Sequence, residues 1–272
     1  MSSGFNAPIG VFDSGVGGLS VLKALQAEMP HEHFIYIADS GHAPYGERDE
    51  AHVLARSRAI VAYLVSRSVK ALVIACNTAT AGAIELLRGE HPGLALIGVE
   101  PALKPAVALS TTGRIGVMAT RGTLSSARFK ALLNAQAGQA VFVLQPCDGL
   151  ADAIERGAET GDTTKTIALC TDYISAMGGF GAKSGEIDTL VLGCTHYPFA
   201  AEHLRVLLGP DVQLIDNGQA VARQTRRLAS TQTLAITAPG QVSLFTTGNP
   251  RTLAAAAQRW LGLEAAVELL CF

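Results

Sequence analysis

Val69-Lys70-Ala71-Leu72-Val73-Ile74-Ala75-Cys76-Asn77-Thr78 and Ile187-Asp188-Thr189-Leu190-Val191-Leu192-Gly193-Cys194-Thr195-His196 read as copies of one another, 118 positions apart (194 minus 76). In each, an apolar run ends on a cysteine followed by two polar residues. A buried parallel strand is a continuous apolar run of this kind, and the residues just past its end form the carboxyl edge where α/β proteins build their sites. Two such edges could present two thiols to one ligand, which suits chemistry needing an acid and a base on opposite faces of a carbon.

The pattern repeats outward from these stretches. Short β-branched runs alternate with Ala/Leu-rich segments, the signature of strand–helix units around a mainly parallel sheet. Residues 9–12, 34–37, 71–75 and 94–99 read as strands. A helix runs from Leu19 and stops at Met29-Pro30, and 49–67 and 79–88 read as the next helices. Ile115-Gly116-Val117-Met118-Ala119-Thr120 then restarts what Ile9-Gly10-Val11-Phe12-Asp13-Ser14 began, at an offset of 106 (115 minus 9). The offsets differ by 12, which places an insertion in the second copy, within 146–161 or 178–185. A strand at 241–245 and a helix at 251–261 are expected to return to the first half. The sequence thus predicts an α/β protein of two similar doubly wound domains with mainly parallel sheets, 1–99 plus 213–272 and 100–212.

Composition narrows the function. The chain has 272 residues, 49% hydrophobic and 16% charged, with a formal net charge of −2. That profile is globular and carries no electrostatic footprint for nucleic acid. Neither a secretory leader nor an apolar run of about 18 residues is visible, so a cytoplasmic protein without a membrane partner is the expectation. Five cysteines without C-x-x-C spacing fit neither a disulfide framework nor a zinc ribbon. Cys147, Cys170 and Cys271 read as small buried hydrophobes.

Asp13-Ser14-Gly15-Val16-Gly17-Gly18-Leu19-Ser20 follows a strand and opens a helix, and Asp39 ends the next strand. A dinucleotide fingerprint has this layout, so a nicotinamide oxidoreductase is one reading. Against it, Ser20 replaces the third glycine and Asp13 sets a negative charge beside the would-be pyrophosphate. The glycines would also let the backbone approach another anion, such as a carboxylate, at the helix N-terminus. A two-lobed binding protein of the periplasmic type is a further alternative, but it calls for a secretion signal.

Together the motifs single out a family. Gly10-Val11-Phe12-Asp13-Ser14-Gly15-Val16-Gly17-Gly18-Leu19, Ala38-Asp39 with Pro44-Tyr45-Gly46, Ala75-Cys76-Asn77-Thr78-Ala79 and Gly193-Cys194-Thr195-His196-Tyr197-Pro198, in this order, closely resemble the glutamate racemases. Gly98-Val99-Glu100-Pro101 and Phe245-Thr246-Thr247-Gly248 extend the likeness over nearly the whole chain. The resemblance implies two Rossmann-like domains related by a pseudo-twofold axis with the active site in the cleft between them. It also implies cofactor-independent, metal-free interconversion of L- and D-glutamate supplying peptidoglycan synthesis, and a homodimer. By resemblance Cys76 serves the D-enantiomer's proton and Cys194 the L-enantiomer's. Ser14, Tyr45, Gly46, Asn77, Thr78, Thr195 and His196 would line the substrate pocket, and Asp39 and Glu155 would be further polar groups near it. His196, rather than another residue after Cys194-Thr195, favours glutamate over aspartate.

The residue chemistry agrees with that picture. Two-base racemisation needs one thiolate and one thiol, and a reference pKa near 8.5 lets the environment set either state. Asp13, ending a strand expected beside that of Cys76, and His196, two residues past Cys194, are the candidate proton partners. A strand continuing to His196 would put it on the same face as Cys194. Thr120 falls at a predicted strand end, and Pro44 forms the turn that carries Tyr45. Bland alternatives stand beside these roles: Asn77-Thr78 as a helix N-cap, Glu155 as an exposed helix carboxylate, and His196 as a metal ligand lacking partners.

Overall fold

The structure, a computed structural model, describes residues 7–229 and 239–272. Its chain divides into two units, Met1–Val99 with Gly218–Phe272, and Glu100–Asn217.

In the first unit, β1 (Ile9–Asp13), β2 (Phe34–Ala38) and β3 (Ala71–Ile74) are buried along their whole length. Central parallel strands are covered on both faces, which explains their unbroken apolar sequence. β4 (Ala95–Gly98) follows β3 on its far side. In the second unit, β5 (Arg114–Ala119) and β7 (Thr189–Leu192) occupy the centre, with β6 (Val141–Pro146) and β8 (Gln213–Ile215) outside them. β9 (Val242–Thr246) and β10 (Val267–Leu269) return to the first unit, where β9 pairs with β2.

The two sheets have the orders β10-β9-β2-β1-β3-β4 and β6-β5-β7-β8, and every pairing is parallel. The second therefore repeats the order of four adjacent strands of the first, β2-β1-β3-β4. Register makes the correspondence residue by residue: Ile9 faces Phe34 and Ala71 as Ile115 faces Phe142 and Thr189. The offset grows from 106 at the first strand to 108 at the second (142 minus 34) and 118 at the third (189 minus 71). Most of the insertion thus lies between β6 and β7. There, helices Leu150–Thr160 and Thr164–Met177 stand where the first unit has two short 3-10 turns, Ser40–His42 and Tyr45–Glu47, and one helix, Glu50–Ser66.

Three expectations need correction. Residues 213–217 belong to the second unit, because β8 pairs with β7; its three partly exposed residues carry little strand signal. Cys271 is exposed, whereas Cys147 and Cys170 are buried. Burial pushes the Cys170 thiol up to about 11, so that sulfur is inert near neutral pH. The N-cap before Ala79 is not Asn77 or Thr78 but Cys76, since the helix already begins at Asn77. No helix among the described residues is long and apolar enough to cross a membrane.

Candidate active site

In each sheet the chain winds outward both ways from its first strand, so the switch point lies between β1 and β3, and between β5 and β7. Ligand sites in open α/β sheets form outside the carboxyl ends at this point. Continuing the register past the strands sets Asp39, Ser14 and Cys76 in one row, and Cys147, Thr120 and Cys194 in the matching row. Loop hydrogen bonds hold both rows: Asp39 N–H donates to the Asp13 carbonyl at 2.9 Å, and Cys147 N–H to that of Ala119 at 3.0 Å.

Around Cys76 the groups come from several elements. Cys76 is buried, and its sulfur accepts a hydrogen bond from Ala79 N–H at 3.4 Å, capping the helix Asn77–Glu90. A helix N-terminus stabilises negative charge, so a thiolate is favoured there. The sulfur also lies 3.5 Å from Ser14 Oγ, which donates to Asp13 Oδ1 at 3.1 Å. Asp13 is fully buried. Gly18 is required beneath it, because a Cβ there would come within 2.7 Å of Asp13 Cβ and 2.9 Å of the Tyr36 hydroxyl. Asn77 is also buried, and its Oδ1 has no hydrogen-bond partner.

Asp39 is fully buried too, and it collects four donors. Tyr45 Oη donates to Oδ2 at 2.5 Å, Arg56 Nε to Oδ2 at 3.0 Å, Arg56 Nη2 to Oδ1 at 2.9 Å and Thr247 Oγ1 to Oδ1 at 2.7 Å. A ribose has no acceptor left here, which removes the acid of the dinucleotide reading. Burial first, and then the Asp39 charge, raise the Tyr45 phenol far above its usual range, so it remains a donor. Pro44 and Gly46 flank Tyr45, which is almost completely buried, in the turn Tyr45–Glu47.

Around Cys194 the arrangement is a linear relay. Cys194 Sγ is 3.6 Å from His196 Nδ1, and His196 Nε2 is 2.6 Å from Glu155 Oε1. Strand alternation is not the reason: β7 stops at Leu192, and His196, in helical conformation, opens the turn Tyr197–Ala200. Glu155 reaches it from the inserted helix Leu150–Thr160, so it is not a detached surface carboxylate. Burial lowers the affinity of His196 for a proton, but the bonds to Cys194 and Glu155 and the Glu155 charge outweigh it and hold the imidazole well above its ordinary value. Thr195 is buried beside Cys194, while Thr120 caps the helix Arg121–Ser125, accepting from Thr123 N–H at 3.2 Å. Among the described residues no group of three or more His, Cys, Asp or Glu is placed to hold a metal ion.

The profile of the family described as Asp/Glu/Hydantoin racemase matches residues 17–225. The chain belongs to this racemase family. It is 44% identical over 264 residues to a glutamate racemase of Ectopseudomonas mendocina (strain ymp), covering 97% of this chain and 98% of that one. Among solved structures, a glutamate racemase isoform from Bacillus anthracis superposes with a TM-score of 0.86 at 30% identity, over 98% of both chains. The Escherichia coli glutamate racemase, in complex with L-glutamate and the activator UDP-MurNAc-ala, gives 0.84 at 30% identity over 98% of this chain and 99% of that chain.

Arg56, Thr247 and Cys147 carry no site role in the sequence reading, yet each lies in or against these rows. Arg56 did leave a signal. On its helix Val53, Ile60 and Leu64 are buried, and Arg56 falls on their stripe at i+3 from Val53. An arginine on an apolar stripe calls for a buried carboxylate partner.

Proposed function

We propose that this racemase interconverts L- and D-glutamate without a cofactor or metal, using Cys76 and Cys194 as paired base and acid. The observation that carries the proposal is the equivalence of two strand-end cysteines, each already connected to its own chain of proton-handling groups. With D-glutamate, the Cys76 thiolate takes the α-proton and the Cys194 thiol returns one to the opposite face. With L-glutamate the roles reverse. Asp13 through Ser14, and Glu155 through His196, reset the two protonation states between turnovers.

Removing an α-proton leaves charge on the carbon and its carboxylate, which donors must stabilise as it develops. Ser14, Thr78, Thr120, Thr195 and the backbone N–H groups of Tyr45 and Gly46 are the candidate carboxylate ligands. The buried, unpartnered Asn77 Oδ1 suits the substrate ammonium. That an E. coli relative was solved with L-glutamate supports the choice of substrate. Supply of D-glutamate for peptidoglycan, a cytoplasmic location and a homodimer belong to the same reading and rest on family resemblance.

Proton NMR of L-glutamate with the purified protein in deuterated water, followed by chiral analysis, tests the reading. Loss of the α-proton signal with accumulation of D-glutamate is expected. Exchange confined to aspartate would move the substrate assignment, and no exchange with either would defeat it.

A further inference from the structure

Asp39 is a candidate substrate ligand by resemblance, but its surroundings leave it little capacity for that task. A carboxylate offers about four lone-pair sites. Four hydrogen bonds already reach it, from Tyr45, twice from Arg56, and from Thr247, all from the protein itself. The guanidinium is equally committed: Nε and Nη2 hold Asp39, Nη1 donates to the Phe272 carbonyl at 3.0 Å, and its carbon lies 5.3 Å from the centre of the Phe272 ring. This fork-on-carboxylate geometry is directional as well as strong.

The far end of the assembly is Tyr45. Its ring shares a core cluster with Cys76 and Val53, and its turn packs against the helix that Cys76 caps. The phenol is tied to Asp39 at 2.5 Å.

We propose that Arg56 is a positioning residue for the substrate site. Its guanidinium fixes the buried Asp39 carboxylate and, through it, the Tyr45 phenol and the 44–46 turn beside Cys76. Asp39 is the middle of this anchor and does not touch substrate. The inference rests on the racemase reading and assigns it a residue that neither thiol nor relay contains.

The test is steady-state kinetics of the wild type, Arg56→Ala, Arg56→Lys, Asp39→Asn and the double variant Asp39→Asn/Arg56→Ala, with glutamate, with and without methylguanidinium chloride and with sodium chloride as control. Losing an anchor misplaces bound substrate, so Arg56→Ala should raise KM roughly tenfold or more while kcat falls less. Methylguanidinium, but not sodium chloride, should recover much of the loss. Arg56→Lys, which keeps charge but not the fork, should fall between. The double variant should be no worse than Arg56→Ala, because both changes break one unit. Should Arg56→Ala fail to fold, Arg56→Lys and Asp39→Asn carry the same comparison of KM against kcat. A folded Arg56→Ala with wild-type KM, no recovery with methylguanidinium, or losses that multiply in the double variant would overturn the anchor. A wild type inactive on glutamate would instead overturn the racemase reading and this inference with it.

Discussion

The two halves place a cysteine at the same point of the same four-strand topology and then surround it by different means. In the first, the helix after β3 starts at once, so the Cys76 sulfur sits on the helix N-terminus and receives Ala79 N–H, with Ser14 and Asp13 alongside from the neighbouring strand end. In the second, a 3-10 turn follows β7, the sulfur meets His196 Nδ1, and the carboxylate arrives from a helix the first half lacks. One thiol is supported by a dipole and a hydroxyl, the other by an imidazole and a distant acid. The row position that holds buried Asp39 in the first half holds Cys147 in the second. The repeated scaffold therefore fixes where the thiols stand, while divergent loops decide which groups surround each one.

Equivalence of the thiols predicts equal and large losses. Cys76→Ala and Cys194→Ala should each reduce racemisation by about 10⁴-fold, the upper range for a positioned acid–base group; polarimetry on both enantiomers measures it. A tolerated change at one cysteine would break the symmetry of the account. The unlike partners should separate next. Glu155→Gln removes the charge that raises His196, so the limb of the pH–kcat profile reporting loss of the imidazolium should move toward acid. Ser14→Ala should lower kcat by roughly 10²-fold, within the range for an assisting proton-transfer group, and leave that limb in place.

Stability differences come lower in the order. Asp188 accepts from Ser110 Oγ, Thr111 N–H and Oγ1, and Thr112 N–H, whereas the equivalent Lys70 makes one ion pair with Glu32 at 2.6 Å. Asp188→Ala leaves several donors unmet and should cost about 2–3 kcal/mol by denaturant unfolding. Lys70→Met should cost about 1 kcal/mol or less. Despite burial, which acts the other way, those hydrogen bonds hold the Asp188 carboxyl well below the usual carboxylate range. A carboxyl lowered in the folded state stabilises at pH above its unfolded value near 3.9, and the gain fades as pH falls below it. Acid unfolding below about pH 4 should therefore be steeper in the wild type than in Asp188→Asn. Gly18→Ala, at a position where the second half has Leu124, should destabilise by about 1–3 kcal/mol because the Cβ strikes Asp13 and Tyr36.

Much of this comparison could be read from residues. The central strands announce themselves because burial on both faces demands unbroken apolar runs, and the repeat offsets bracket the insertion between β5 and β7, most of it falling between β6 and β7. The boundary near 213 leaves little trace in the sequence because β8 is short and half exposed. Cys76 and Cys194 stand out by their position at strand ends. The pairing of Glu155 with His196 spans 41 residues and depends on how an inserted helix packs, which no local period encodes. The Arg56–Asp39 ion pair escapes local pattern for a related reason: its two ends lie 17 residues apart, and the charge balance that joins them exists only once Asp39 is buried.

The most direct measurement is α-proton exchange in deuterated water with each single-thiol variant and each glutamate enantiomer. The account predicts that Cys194→Ala, keeping Cys76, washes deuterium into D-glutamate alone, and that Cys76→Ala washes it into L-glutamate alone. Exchange of both enantiomers by either variant, or the reverse pairing, would contradict the assignment of one thiol to each face.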